Sequence, residues 1–118
     1  MQAPGILNIT IYQGASWDLT LTWKTGEPAT VVNLTGYTAR MHIRRRLHAP
    51  DIVVALTTSN NRITLGEAAG TIALALTAAD TTPLCAGRYV YDLELVNAAG
   101  YVTRLIQGHC HISGEVTR

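Results

Sequence analysis

The chain has 118 residues, of which 47% are hydrophobic and 14% are charged, and its formal net charge is +1. This composition excludes an intrinsically disordered chain, and the length suits one domain with one core. A charge so close to zero gives no reason to expect nucleic acid or an anionic membrane as a partner. We therefore predict a single domain over residues 1–118, with residues 1–5 and 114–118 as extended arms.

The sequence shows no signal for membrane insertion or export. No stretch approaches the ~20 apolar residues that span a bilayer. Residues 1–5 lack the basic region and apolar run of an export signal. The chain is therefore expected to stay in the cytoplasm where it is made, unless assembly into a particle carries it out. In that compartment Cys85 and Cys110 are expected to be free, buried thiols rather than a disulfide.

Alternation of apolar and polar residues with a period of two is the strongest pattern in the chain. It is cleanest in residues 17–23, 37–44 and 88–96, where one face is apolar and the other is polar. Such one-sided alternation is typical of antiparallel sheets that cover a core. In chain order, the predicted strands cover residues 7–11, 17–23, 37–44, 52–56, 62–65, 71–76, 88–96 and 101–113.

Turn residues separate these strands, and one connection is predicted to be helical. Thr77 and Asp80 have the spacing of a capping box, so one short helical turn is expected near residues 77–83, ending before Pro83. The last strand changes the phase of its alternation, and Gly108 is predicted to mark a bulge there. About eight short strands, with turn signals roughly every 8–12 residues, predict an all-β antiparallel sandwich.

Motifs of catalysis are missing from the sequence. It contains no glycine-rich phosphate loop and no Gly-x-Ser-x-Gly elbow. Its acidic residues are spread along predicted polar faces and turns, so none forms a pair suited to acid–base chemistry. We therefore predict that the protein is not an enzyme and that it uses no cofactor.

His109 and His111 form the sharpest local feature. On a strand they share one face and lie about 7 Å apart, whereas Cys110 points the other way. A His-x-His pair can bind a metal, but it supplies only two ligands, and a third such as His42 would have to come from another strand or subunit. We therefore favour exposed polar residues at these positions and assign no metal site, with the metal pair as the alternative.

Basic residues cluster at Arg44, Arg45 and Arg46, with His48 close behind. Arginine makes planar, bidentate contacts and is enriched at protein interfaces. The alternatives are a nucleic-acid patch, a protein interface and a solvated loop. Single-strand stacking is disfavoured because no aromatic residue interrupts the run. Arg44, Arg45, Arg46 and His48 are accordingly the candidate protein interface.

Two tryptophans, Trp17 and Trp23, fall on the apolar face of their predicted strand. That placement favours a role in the core. The alternative is an aromatic anchor for a carbohydrate or a protein partner.

Three stretches of the chain, read together, resemble a known group of proteins. They are similar to small bacteriophage and prophage virion proteins and to the N-terminal domain of phage baseplate upper proteins. The resemblance implies an immunoglobulin-like sandwich, in which Tyr89 or Tyr91 could form a tyrosine corner. It covers residues 13–104 and includes the motifs Leu34-Thr35-Gly36-Tyr37 and Gly87-Arg88-Tyr89-Val90-Tyr91-Asp92-Leu93.

The resemblance also implies a function. We expect a virion structural protein that makes protein–protein contacts in the tail, baseplate, fibre attachment or collar of a tailed phage. Its partners would be other phage structural proteins and further copies of itself in a symmetric assembly. Two alternatives remain, a capsid decoration protein and a carbohydrate-binding receptor module. The resemblance supplies no catalytic residue.

Overall fold

Residues of alternating polarity form strands in the computed structural model, which describes residues 4–117. The strands are β1 (Gly5–Ile6), β2 (Ile9–Tyr12), β3 (Trp17–Thr22), β4 (Lys24–Thr25), β5 (Thr30–Val31), β6 (Thr38–Arg44), β7 (Val54–Thr57), β8 (Ile63–Leu65), β9 (Thr71–Leu76), β10 (Gly87–Val96) and β11 (Val102–Ser113). One α-helical turn, α1, covers Ala78–Thr81, and one 3-10 turn covers Glu67–Ala69.

The two main sheets pack face to face around one core. The larger sheet has the order β1-β11-β10-β6-β7, with β2 also paired to β11, and the smaller has the order β3-β9-β8. A separate two-stranded hairpin joins β4 to β5. The core consists of apolar side chains from both inner faces, among them Ile11, Met41, Ile43, Leu56, Ile72, Leu74, Leu93, Leu95 and Ile112. The predicted all-β sandwich is confirmed.

The prediction of antiparallel pairing was wrong for the N-terminal strands. Both β1 and β2 run parallel to β11, with Gly5 opposite Ile106 and Ile9 opposite Cys110. The alternation of residues 7–11 indicates a strand but not its partner, because parallel and antiparallel edge strands share the same period. The arrangement places the N-terminal strand on the larger sheet.

The predicted helical turn is confirmed, together with its capping box. The Thr77 hydroxyl accepts a hydrogen bond from the Asp80 N–H at 3.1 Å, and the Asp80 carboxylate accepts one from the Thr77 N–H at 2.9 Å. These reciprocal bonds satisfy N–H groups that a helix start leaves unpaired.

The bulge of β11 lies three residues before the predicted position. Leu93 is opposite Ile106 and Glu94 is opposite Arg104, so the extra residue is Leu105, which turns into the core. Gly108 has a different function. A Cβ there would lie 2.3 Å from the Leu7 carbonyl oxygen, so only glycine allows the N-terminal segment to cross β11 this closely.

Two buried tyrosines of β10 donate hydrogen bonds to backbone carbonyls of connecting segments. The Tyr89 hydroxyl donates to the Cys85 carbonyl at 2.6 Å, four residues upstream, which is the geometry of a tyrosine corner. The Tyr91 hydroxyl donates to the Leu7 carbonyl and holds the N-terminal crossing. Tyr89 therefore forms the corner, and Tyr91 fixes the link between β1 and β2.

Parts of both predicted arms lie among the described residues, and the arms themselves stay a prediction. Gly5 is already part of β1, and the Glu115 N–H donates to Gln13 Oε1 at 2.9 Å. Residues 1–3 and 118 of the predicted arms lie outside the described residues. Within residues 4–117, no helix is long and apolar enough to cross a membrane.

The cysteines are free, as expected, but only one is buried. Cys110 is in the core, whereas Cys85 is exposed because the neighbouring Leu84 takes the buried position in the link to β10. Burial raises the pKa of the Cys110 thiol to about 12.

Candidate protein-docking groove

A groove of about 670 Å³ crosses the outer face of the larger sheet. Its floor is built from cross-strand rows of outward-facing side chains on β6, β10 and β11. The rows are set by strand register, because residues directly opposite in antiparallel strands share a face. From one end of the groove to the other they are Arg44–Val90–His109, His42–Asp92–Gln107 and Glu94–Arg104, and Arg40 lies opposite Glu94 without lining the groove.

The two acidic side chains of this floor, Glu94 and Asp92, both form ion pairs. Arg40 Nε lies 2.8 Å from Glu94 Oε1, and Arg104 Nε lies 3.6 Å from Asp92 Oδ2. Exposed pairs of this kind contribute little to stability, typically about 0–1 kcal/mol. Their main effect here is to fix the positions of charged groups across the face, which gives the floor a defined electrostatic pattern.

Apolar side chains stand on the two rims of the groove. Ile6 is 71% exposed at the end of β1, and Leu47 is 77% exposed in the loop after β6. Large apolar groups this exposed are costly to leave in water, and beside a polar floor they are typical of a contact surface. The groove therefore combines two apolar anchors with an ordered polar centre.

The predicted basic interface divides into two functional parts. Arg44 Nη1 donates to the carbonyl oxygens of Ala49 and Pro50, both at 3.1 Å, and so closes its own loop. The Arg45 guanidinium lies 5.2 Å from the centroid of the Tyr89 ring in a cation–π contact. Arg44 and Arg45 thus make contacts within the chain, and their part in a protein interface stays a prediction.

Arg46 and His48 are exposed on either side of Leu47 at the tip of this loop. Arg45 is exposed as well, and of the four predicted interface residues Arg44 is the one that lines the groove. Their role in binding stays a prediction. The sequence run of three arginines gave no signal that Arg44 would donate to carbonyls of its own loop while Arg45 and Arg46 stay exposed.

His109 and His111 are both exposed on one face of β11, with Cys110 buried on the other. His42 lies on β6, which β10 separates from the histidine pair on β11, and it is opposite Asp92. Within residues 4–117, no group of three His, Cys, Asp or Glu side chains is placed to hold a metal ion. The structure therefore brings no third ligand to the histidine pair.

The tryptophans lie in different environments. Trp23 is buried and packs edge-on against Tyr37, with ring centroids 6.0 Å apart. Its Nε1–H has no hydrogen-bond partner among the described residues. Trp17 is only half-buried and lines a second groove with Asp18, Asn61 and Arg62. The predicted core role applies fully to Trp23 and partly to Trp17.

Comparisons with known proteins add little to this geometry. No family model matches the chain, and no curated protein does. Among solved structures, CopC from Methylosinus trichosporium OB3b is similar over 92% of this chain and 88% of that chain, with 11% sequence identity and a TM-score of 0.45. A likeness this distant does not indicate a shared function.

Proposed function

We propose that this chain is a non-enzymatic structural protein of a bacteriophage virion. It would bind neighbouring virion proteins in the tail, baseplate, fibre attachment or collar through the groove on its larger sheet. The virion setting rests on the sequence resemblance. The binding role rests on the groove itself.

The observation that carries the binding role is the pairing of Ile6 and Leu47 across a charged floor. Protein interfaces concentrate their energy in a few apolar or aromatic anchors surrounded by satisfied polar groups. Here the anchors flank ion pairs whose geometry is already set in the free chain. A preordered surface loses less side-chain entropy when it binds.

The test uses phage particles assembled with variants of the chain. Ile6→Asp and Leu47→Asp place a charge on each rim, and we expect each to lower incorporation into purified particles at least tenfold, measured by quantitative mass spectrometry. Val116→Asp is the matched control, because Val116 is 91% exposed but does not line the groove. Its incorporation should equal that of the wild type.

Two outcomes would contradict the proposal. The first is absence of the wild-type chain from purified particles. The second is a copy number in the hundreds, which would favour capsid decoration, whereas a dozen or fewer copies supports placement in the tail, baseplate or collar.

Carbohydrate binding is a second candidate, favoured by the position of Trp17. Its half-exposed ring lies beside Asp18, Asn61 and Asp80 in one groove, and an apolar ring next to polar side chains suits a sugar. Binding on a glycan array that Trp17→Ala abolishes, with the circular dichroism spectrum unchanged, would support this role. An array without any bound glycan would contradict it.

A further inference from the structure

The smaller sheet ends on an open strand edge. β3 is one of the two outer strands of the order β3-β9-β8. Just beyond its end, the Trp23 N–H donates to the Gly70 carbonyl at 2.9 Å. Backbone bonding alternates along an antiparallel strand. The backbone groups of Asp18, Thr20 and Thr22 therefore point away from β9. Within residues 4–117 they have no hydrogen-bond partner.

At the β7 edge of the larger sheet, by contrast, side chains cover the outward backbone groups. Its strand β7 turns the backbone of Ala55 and Thr57 outward, and side chains from the following turn cover both. Asn60 Oδ1 accepts from the Thr57 N–H at 3.0 Å, while Asn60 Nδ2 and Arg62 Nη1 donate to the Ala55 carbonyl at 3.0 and 2.9 Å. Such covering prevents an edge from pairing with another chain. β3 has no equivalent, and it contains no proline.

The side chains of β3 also leave apolar surface uncovered. Trp17, Leu19 and Leu21 are half-buried, although the residues opposite them on β9 are 0–2% exposed. An additional strand beside β3 would cover the remaining apolar surface of these three side chains and satisfy the outward backbone groups.

The edge carries one charge of each sign. Asp18 lies on the outer face of β3, and Lys24, the single lysine of the chain, is exposed just beyond its end. Neither forms an ion pair with any residue between 4 and 117. Opposite charges placed directly across two antiparallel strands stabilise their pairing, and like charges destabilise it.

We propose that β3 pairs with β3 of a second copy of this chain, antiparallel about a twofold axis at Leu21. This register puts Asp18 of each copy opposite Lys24 of the other, Leu19 opposite Trp23, and Thr20 opposite Thr22. A register centred on Asp18 would instead oppose two carboxylates. The contact is isologous, as in most closed dimers, and produces one continuous six-stranded sheet.

The first test blocks the backbone pairing. Thr20→Pro removes an N–H that bonds to nothing in the single chain, and proline is tolerated on edge strands. We expect the wild type to be a concentration-dependent dimer by sedimentation equilibrium and Thr20→Pro to be a monomer with an unchanged circular dichroism spectrum. Thr20→Val is the matched control, because it keeps the N–H and the strand propensity, and it should still dimerise.

The second test probes the register. Asp18→Lys and Lys24→Asp each replace two opposite-charge pairs with like-charge pairs, and we expect each to raise the dimer Kd about tenfold. The double variant D18K/K24D re-forms both pairs, and its Kd should return to within about threefold of the wild type. None of these substitutions lies in the core, so we expect each variant to fold.

Three outcomes would overturn the inference. They are a wild-type chain that stays monomeric at every concentration, a dimer that Thr20→Pro leaves intact, and a double variant as weak as the single ones. If β3 instead paired with an extended segment of a different protein, the isolated wild-type chain would stay monomeric, which is the first outcome. The inference does not rest on the virion role, since that role is tested on the opposite sheet with Ile6 and Leu47.

Discussion

Single residues control how the N-terminal segment joins the larger sheet. The segment crosses β11 at Leu7 and Asn8, between its two short strands. Gly108 gives room for the crossing, the Tyr91 hydroxyl donates to the Leu7 carbonyl, and Asn8 Oδ1 accepts from the His109 N–H at 3.0 Å. Burial raises the pKa of Tyr91 to about 12, so its hydroxyl remains a donor at neutral pH. One wall of the docking groove depends on these contacts.

Gly108→Ala tests this crossing. The added methyl would lie 2.3 Å from a backbone oxygen, so the N-terminal segment must shift. We expect the free energy of unfolding to fall by about 1–3 kcal/mol in urea denaturation. Gly5→Ala is the control, because its methyl would meet only ordinary contacts, the nearest at 3.6 Å, and should change stability by less than about 0.5 kcal/mol. Equal stability of the two variants would contradict the assigned role of Gly108.

The two thiols should differ in reactivity. Cys110 is fully buried and its raised pKa keeps it protonated, whereas Cys85 is exposed. Because the thiolate is the reactive form, we expect iodoacetamide at pH 8 to modify Cys85 in the native chain and Cys110 only after unfolding. Peptide mass spectrometry distinguishes the two sites. Modification of Cys110 at a similar rate in the native chain would show that the core opens readily.

At the scale of elements, the short helix α1 connects the two sheets through polar contacts. Asp80 caps the helix and its carboxylate also pairs with Arg62 Nη2 at 2.8 Å, close to the turn that covers the edge of β7. The Thr81 hydroxyl donates to the Ala15 carbonyl at 2.9 Å, which ties the helix to the start of β3. The connection is therefore bonded to the segment before β3 and, through Arg62, to the edge of β7.

Asp80 gives this element a predictable response to pH. The hydrogen bond from the Thr77 backbone, and then Arg62, lower the pKa of Asp80 below its ordinary value of 3.8. A lowered pKa in the folded state means that the carboxylate stabilises the fold above about pH 3.8 and that this contribution is lost as the pH falls further. We expect Asp80→Asn to lower the melting temperature at pH 7.

The measurement is a series of melting temperatures from pH 2 to pH 7. The difference between the wild type and Asp80→Asn should shrink as the pH falls through the lowered pKa. Asp51→Asn is the control, since Asp51 makes no ion pair with a described residue and should show no such convergence. A difference that is constant over the whole range would exclude a contribution from the ionised Asp80.

The whole molecule is organised around β11, which pairs with β10 on one side and with β1 and β2 on the other. The chain therefore closes its larger sheet by joining its first strands to its last. Around the docking groove, the pairings of β1 and β2 with β11 and of β6 with β10 link residues distant in sequence, whereas β10 and β11 form a hairpin. The groove exists only once this closure is complete.

This topology predicts slow folding. Domains dominated by pairings between distant residues fold over milliseconds to seconds, because loop-closure entropy is lost before those pairings form. We expect the main refolding phase in stopped-flow tryptophan fluorescence to fall in that range at 25 °C. A main phase in microseconds would mean that local contacts, rather than the closure by β11, limit folding.

The sequence determined the local structure of this protein. Alternation in residues 88–96 identified β10 and its buried face, because a strand's side chains alternate whatever lies beside it. The spacing of Thr77 and Asp80 predicted α1 for a similarly local reason. The two-layer fold followed from the number of such strands and from the turns between them.

Only the tertiary structure decided how these strands are arranged and which of their residues and edges stay exposed. The parallel pairing of β2, the bulge at Leu105 and the open edge of β3 depend on which strand lies beside which, and the strand period does not encode a neighbour. For the same reason, the arginine run was visible in sequence, but the bonds of Arg44 to its own loop and the contact of Arg45 with Tyr89 were not. The groove has Ile6 on one rim and Leu47 on the other, so it required the fold to bring distant segments together.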